Sequence, residues 1–407
     1  MALLQKSPRQ QASDEAPAGR VRNRLRWRSA LLRTALRVTP ARGHAVVHGL
    51  PDDEGNSVEV VRALARYLPV YWLVAGTREE VSWLVADAEG AERIHIVSKN
   101  SAAGYAAYVS ASWVFFTHGL FGSPPPPPHK TFVNLWHGDG PKRRKGFADI
   151  GATYIVSGTR LWGDMRAAHF DMPEDRVLVT GYPRVDQMRR PASPEAVRAL
   201  GIDPDRPLVL LMPTYRTTDS PASRVGEALN WSDGDELSRS AESRALLSHA
   251  ARAAEERGLT LAVKPHPLDA DRFEGTGIRR LDNTDLDRAR VTLYELLGST
   301  AGIITDYSSV WTDYLTVDRP IGFYCPDLDM FEADRGLNVE GYRDMVPGPM
   351  LSTAADFDVF LDECRSESAD SRRLRQERGA AIGAVTRAGA THRLLVAVGV
   401  ERVRAGR

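Results

Sequence analysis

From His44 onward the chain repeats one pattern: a short apolar run, a polar or Gly/Pro break, then a segment of helical period. His44–Gly49, Val70–Ala75, Ile94–Val97, Ser112–Thr117, Thr131–Leu135 and Tyr154–Ser157 are such runs. Ser57–Tyr67, Glu79–Ala88, Ala102–Ser110 and Thr159–His169 read as helices. A crossover helix between successive strands dictates parallel pairing, and continuous apolar runs such as Pro207–Met212 demand cover on both faces. The predicted class is therefore α/β, with doubly wound sheets. The alternation pauses near Arg184–Pro207, where Pro191–Gly201 reads as a connector. It resumes with strands at Pro207–Arg216, Leu259–Pro267, Ala301–Ile304 and Pro320–Tyr324 and helices at Arg244–Arg257 and Val291–Leu297. Asp356–Glu363 and Ser371–Val398 close the chain as helices, the second interrupted by Gly389. A chain of 407 residues so divided is expected to form two domains, 43–190 and 191–407, facing a cleft, behind an extension 1–42.

That extension differs in chemistry from the rest. Residues 1–19 are polar and expected to be disordered. Arg20–Arg42 carries Arg20, Arg22, Arg24, Arg26, Arg28, Arg33, Arg37 and Arg42 and no acidic residue, with Leu25, Leu32 and Leu36 near one helical face. Such a basic amphipathic segment suits an anionic membrane surface; a solvated basic arm is the plainer alternative. The formal net charge of +0 gives no field that would recruit nucleic acid. Cys325 and Cys364 lie far apart, which predicts a reducing compartment without disulfides. No apolar run reaches the roughly 20 residues that span a bilayer, and the N-terminus lacks a signal-peptide core. The expected location is cytoplasmic, peripheral on the inner face of the cell membrane.

In doubly wound sheets, ligands gather beyond the carboxyl ends of the strands. Five polar clusters fall there: Trp136–Gly146, Gly181–Arg184, Pro213–Arg216, Lys264–Pro267 and Thr305–Ser309. In the last, Ser308 or Ser309 is a natural helix cap, and the remaining hydroxyls and N–H groups suit an anion; an ordinary capped turn reads the same way. His137, before a glycine, is either a general base near neutral pH or a buried structural histidine. Lys142, Arg143, Arg144 and Lys145 form a basic loop fit for an anionic substrate, or a solvated charge run. Lys264 and His266, beside fixed prolines, can neutralise a phosphoryl group. Thr214 and Arg216 offer a hydroxyl and a fork. Asp313, one turn into the following helix, can accept from a ribose hydroxyl or can be a surface carboxylate. Asp306 could touch a divalent ion, but the cations make a metal unnecessary, so no metal and no cofactor is expected. No zinc spacing, Walker loop or dinucleotide fingerprint is present in the sequence.

Taken together and in order, these pieces resemble the CDP-glycerol glycerophosphotransferase family of teichoic acid polymerases and primases. They are Trp136-His137-Gly138 with Pro141-Lys142, Gly181-Tyr-Pro-Arg184-Val-Asp186, Pro213-Thr214-Tyr-Arg216, Lys264-Pro-His266-Pro, Thr305-Asp306-Tyr307-Ser308-Ser309 with Asp313-Tyr314, and Asp334-Arg335-Gly336. Val346-Pro-Gly-Pro349 and Gly389-Ala-Thr-x-Arg393 also fit. The resemblance implies a GT-B fold of two Rossmann-like domains, attachment to a membrane surface, and transfer of glycerol phosphate or a related polyol phosphate from CDP-glycerol, releasing CMP. The acceptor would be a lipid-linked or polymeric hydroxyl, as in teichoic acid. On this reading catalysis is expected at His137 and His266, which could exchange roles, and donor and phosphate binding at Thr214, Arg216, Lys264, Thr305, Asp306, Ser308, Ser309, Asp313 and Arg335. Two departures stand out. Asp139-Gly140 replaces the usual Thr-Pro after Trp-His-Gly, where the carboxylate could alter acceptor choice, and Val185 replaces an Asn. A nucleotide-sugar glycosyltransferase on the same fold, and a protein that only binds nucleotide or polymer, are the other readings.

Overall fold

The computed structural model describes residues 30–142, 151–214, 240–265, 272–334 and 336–400. Strands β1–β7 form one parallel sheet of seven, in the order β3-β2-β1-β4-β5-β6-β7, and β8–β12 form a second of five, in the order β10-β9-β8-β11-β12. The first holds β1 (Ala45–His48), β2 (Val70–Val74), β3 (Ile94–Ser98), β4 (Trp113–Phe116), β5 (Thr131–Asn134), β6 (Tyr154–Ser157) and β7 (Val177–Val179). The second holds β8 (Leu208–Met212), β9 (Thr260–Val263), β10 (Arg279–Arg280), β11 (Thr300–Thr305) and β12 (Ile321–Phe323).

The continuous apolar runs have the predicted consequence. Side chains of a strand alternate between faces. Ala45 and Val47 therefore join one buried cluster while Val46 joins another on the opposite face. Leu208 and Leu210 likewise separate from Val209 and Leu211. Each buried Val or Leu contributes about 1.5–3 kcal/mol, so a one-residue slip in register would move an entire strand's contribution to the wrong face.

The chain does not end in the half that the 191–407 boundary gives it. Ala390, Leu394, Leu395, Val398 and Val400 pack in the core of the first sheet. The Asp186 carboxylate accepts from the N–H groups of Gly389, Ala390 and Thr391 at 2.9–3.1 Å, which fixes the start of the helix Ala390–Ala397. Two motif segments some 200 residues apart in sequence are thus bonded to each other, and Arg393 donates to the Thr180 carbonyl.

The basic extension is seen from residue 30. Residues 30–38 are helical, and Leu36 is buried against Val46, Tyr108 and Phe132, with Leu32 packed beside it. The apolar face expected to meet lipid is turned inward, because the outer surface of the first sheet is itself apolar and needs cover. What remains outward is Leu31 and Val38, 67% and 73% exposed, with Arg33 and Arg37 exposed as well. Among the described residues no helix is long and apolar enough to cross a membrane. Cys325 and Cys364 are buried and are not joined in a disulfide.

Candidate active site

The loop after β5 reaches from the first half into the second. Asn134 ends the strand, and its side-chain oxygen accepts from the Trp136 N–H at 2.8 Å, turning the chain back on itself. Trp136 then sits in the left-handed region at φ +57°, and Gly138 at φ +143°, where side chains are rarely tolerated. Gly138 is also required by contact: a Cβ there would lie 2.5 Å from Ser309 Oγ and 3.1 Å from the Arg184 guanidinium. The turn that releases His137 therefore lies directly against Ser309. The imidazole of His137 stacks on Trp136, with ring centres 4.5 Å apart, and on His118, 4.9 Å away and only 18° from parallel.

The sequence places these two loops on opposite walls of a cleft. The structure brings them into contact. The Asn338 N–H donates to the Pro141 carbonyl and its side chain to that of Gly140, Thr312 Oγ1 donates to the Asp139 carbonyl, and Lys142 bridges to Leu337. A cavity of about 610 Å³ opens beside the seam. Trp136, His137 and Lys142 line it from the first half, and Tyr307 and Ser309 from the second. Imidazoles of His137 and His169, the Lys142 ammonium and the hydroxyls of Tyr307 and Ser309 thus share a single space.

Several side chains given ligand roles by the sequence are spent on the protein itself. Thr305 Oγ1 donates to the Met212 carbonyl at 2.8 Å. The Asp306 carboxylate accepts from the N–H and hydroxyl of Thr214 and from the Ser308 N–H, and all of Thr305, Asp306 and Thr214 are buried. These bonds tie the carboxyl end of β8 to that of β11. The helix that follows, Val310–Tyr314, is short, and Ser309 opens it without a side-chain cap bond, while Ser308 Oγ accepts from Val310. The expected phosphate cradle is thus braced internally by Asp306, and of its residues Ser309 and Tyr307 line the cavity.

Asp313 is not the surface carboxylate that was the plainer alternative. It is buried, and its Oδ2 accepts from Arg184 Nε at 3.0 Å, Arg184 Nη2 at 2.7 Å and the Tyr294 hydroxyl at 2.6 Å. Arg184 comes from the other half. It lies against the rings of Tyr182 and Tyr294, approaches Glu54 at 3.5 Å and donates to the His137 carbonyl at 3.0 Å. Burial pushes the Asp313 carboxyl above its ordinary value, while Arg184 and Tyr294 hold it down. Arg184 was legible only as part of a motif; its role as the pin between the halves and behind His137 had no local signal.

Asp139 is likewise structural. It is fully buried and accepts from Ser157 Oγ, the Gly158 and Thr159 N–H groups, Thr159 Oγ1, Arg166 and Tyr182 Oη, at 2.6–2.9 Å. The departure expected to tune acceptor choice instead fastens the loop to the start of the helix Arg160–His169.

Lys264 follows β9 and is half-buried. Burial lowers its pKa, against the opposing fields of Asp282 and of Asp53, which comes from the first half. Lys264 therefore feels negative charge from both halves. His266, Arg216, Arg143, Arg144, Lys145 and Arg335 lie outside the described residues.

A family model described as CDP-glycerol:poly(glycerophosphate) glycerophosphotransferase matches residues 57–398. The teichoic acid ribitol-phosphate primase of Bacillus spizizenii is 36% identical over 95 residues, 23% of this chain and 22% of that protein. The teichoic acid glycerol-phosphate primase of Bacillus subtilis is 22% identical over 234 residues, 53% of this chain and 55% of that protein. The chain thus spans about half or less of the length of these curated relatives. The solved structure of the wall teichoic acid polymerase TagF superposes with a TM-score of 0.64 at 18% identity, covering 95% of this chain and 96% of that one. The fold in common is of the GT-B type, two parallel α/β sheets in one chain.

Proposed function

Since the chain belongs to the CDP-glycerol:poly(glycerophosphate) glycerophosphotransferase family, we propose that it transfers glycerol phosphate, or a related polyol phosphate, from a CDP-polyol to a hydroxyl of a teichoic-acid-like acceptor, releasing CMP. The observation that carries the reading is the seam itself: His137, Lys142 and Ser309, from different halves, line one cavity. Phosphoryl transfer asks for positioning and charge neutralisation more than for covalent help. His137 takes the proton of the attacking hydroxyl as that oxygen bonds to the phosphorus bearing the polyol. The bond from that phosphorus to the bridging oxygen breaks, and CMP leaves with the electron pair. Lys264 and His266 stabilise the phosphoryl group and the leaving CMP, with Arg216 and Arg335 assisting. Ser308 and Ser309 hold the pyrophosphate, and Lys142 with Arg143, Arg144 and Lys145 receives the anionic acceptor. Thr305, Asp306, Thr214 and Asp313 serve as the frame of this site rather than as ligands. Arg33, Arg37, Leu31 and Val38 give the extension an outward face suited to an anionic membrane surface, which is where a lipid-linked acceptor would be met on the cytoplasmic side.

The test is CMP release by the purified chain offered CDP-glycerol, CDP-ribitol and sugar nucleotides with a lipid-linked or oligomeric polyol phosphate acceptor. Release from a CDP-polyol that depends on acceptor supports the reading. Turnover confined to sugar nucleotides, with a nucleoside diphosphate as product, would replace it with glycosyl transfer.

A further inference from the structure

A row of nitrogen groups crosses the carboxyl ends of the first sheet, away from the cavity. His137 follows β5, His118 follows β4, His48 ends β1 and Lys99 follows β3. In the sheet these strands stand in the order β3-β2-β1-β4-β5. Four strand spacings separate the ends, roughly 19 Å at about 4.8 Å each. The links are direct. His137 stacks on His118, which is exposed and whose charge is felt by His48, and His48 Nε2 lies 2.9 Å from Lys99 Nζ.

The His48 to Lys99 contact fixes the chemistry of the far end. His48 Nδ1 lies 2.8 Å from the Leu73 carbonyl. A carbonyl only accepts, so Nδ1 carries the proton and Nε2 of the neutral ring accepts from the lysine. A neutral imidazole orients an ammonium but takes away none of its charge. Among the described residues no carboxylate lies within 4.0 Å of Lys99 Nζ. The near one, Asp52, accepts from the N–H groups of Ala75 and Gly76 at 2.8–3.0 Å. Half-burial lowers the Lys99 pKa and Asp52 raises it, and Lys99 in turn helps burial to keep His48 neutral. A cation aimed by a buried acceptor, partly desolvated and beyond ion-pair reach of a carboxylate is a seat for an anion from outside.

We propose that Lys99, oriented by His48, together with His118 forms a phosphodiester subsite for the acceptor chain, leading from His137 toward the β3 edge of the sheet. The inference rests on the reading of His137 as the acceptor-side base. A polyol phosphate chain carries one negative charge per repeat and would cover the row in a few repeats, its terminal hydroxyl at His137 and an earlier phosphodiester at Lys99. His48 is the positioning residue of the pair.

The probe is a synthetic trimer of 1,3-linked glycerol phosphate, titrated calorimetrically into the full chain without donor at low and moderate salt. Lys99→Gln and His118→Gln should each weaken trimer binding about tenfold, and Lys99→Gln should also reduce its salt dependence by about one charge. Lys99→Arg should retain most of the affinity, and unfolding midpoints report whether each variant is folded. His48→Leu should weaken the trimer as Lys99→Gln does, and combined with Lys99→Gln it should add little further loss. Trimer affinity unchanged in Lys99→Gln and His118→Gln would overturn the proposal, as would wild-type protein that fails to bind the trimer. Because this measurement needs no turnover, absence of CMP release would count against the proposed reaction without touching the binding result.

Discussion

Replacing Arg184 by Met separates two duties that one guanidinium performs. Its Nε and Nη2 hold Asp313, and its Nη1 holds the His137 carbonyl. The variant strands a buried carboxylate with the Tyr294 hydroxyl, and removing one member of a buried ion pair costs about 3–5 kcal/mol. Removing Asp313 as well, in Arg184→Met/Asp313→Leu, replaces the pair by apolar groups of similar volume. The Asp313 penalty then disappears and is replaced by the orphaned Tyr294 hydroxyl, about 1–3 kcal/mol, while the loss of Arg184 beside Glu54 is common to both variants and cancels in the comparison. The double variant should therefore be more stable than Arg184→Met by roughly 2 kcal/mol, even though it carries an additional substitution. Turnover should behave differently. The bond to the His137 carbonyl is lost in both variants, and a charged hydrogen bond of at least about 1.4 kcal/mol corresponds to a tenfold change. CMP release should fall about tenfold in Arg184→Met and stay low in the double variant. Asp313→Leu alone, which leaves the His137 tie in place, should fall less. Urea melts and CMP release on all three proteins decide it. A double variant no more stable than Arg184→Met would refute the pair as the energetic unit. Turnover recovering with stability would refute the positioning of His137 by Arg184.

His137→Ala should lower turnover by ~10²–10⁴ with an unchanged unfolding midpoint, and near-wild-type CMP release would remove it from catalysis. Asp139→Ala should cost at least about 3 kcal/mol in urea unfolding, since it leaves Arg166 buried beside an emptied site; a stable variant with altered acceptor choice would restore the specificity reading. Stability should also fall on acidification. His44 and His48 have pKa values lowered below 6.5, chiefly by burial. The unfolded chain takes up these protons first, so their contribution is complete above pH 6.5 and is lost as pH drops through the folded values, at up to about 1.4 kcal/mol per pH unit for each histidine. Melting curves at pH 7.5 and 5.5 should show this drop and His44→Gln/His48→Gln should shrink it; equal pH dependence in both proteins would exclude the two rings as its source.

Most strands were legible because period and burial coincide. Runs such as Val70–Val74 and Leu208–Met212 are apolar at every position and end in a polar break, and the structure places β2 and β8 there. Elements resting on little apolar surface were not legible. The two-residue strand β10, Arg279–Arg280, is exposed and owes its existence to pairing with β9. The helix expected over Glu79–Ala88 divides into the α-turn Arg78–Val81 and the 3-10 turn Ser82–Val85, and the C-terminal helix expected to break at Gly389 already stops at Ala381 and resumes at Ala390, directly after that glycine.

The carboxylates show why a site can be located from sequence while the partners of its members cannot. Asp139, Asp306 and Asp313 all sit just beyond strand ends, where ligands bind, and all three turn out to bond to the chain. Locally, a carboxylate that will meet a ribose and one that will meet a guanidinium look the same. The difference is a partner 129 positions away for Asp313 and 92 for Asp306. A loop that must project a histidine into a shared cavity cannot rely on its own apolar burial, because it lies at the polar ends of the strands. Buried charge and backbone bonds hold it instead, with Asp139 fixing the loop to its own half and Arg184 joining it to Asp313 of the other. Polar residues crowd a strand end both to contact ligand and to hold the residues that do. In this chain the basic and hydroxyl groups lining the cavity are fitted to the first task, and the aspartates perform the second.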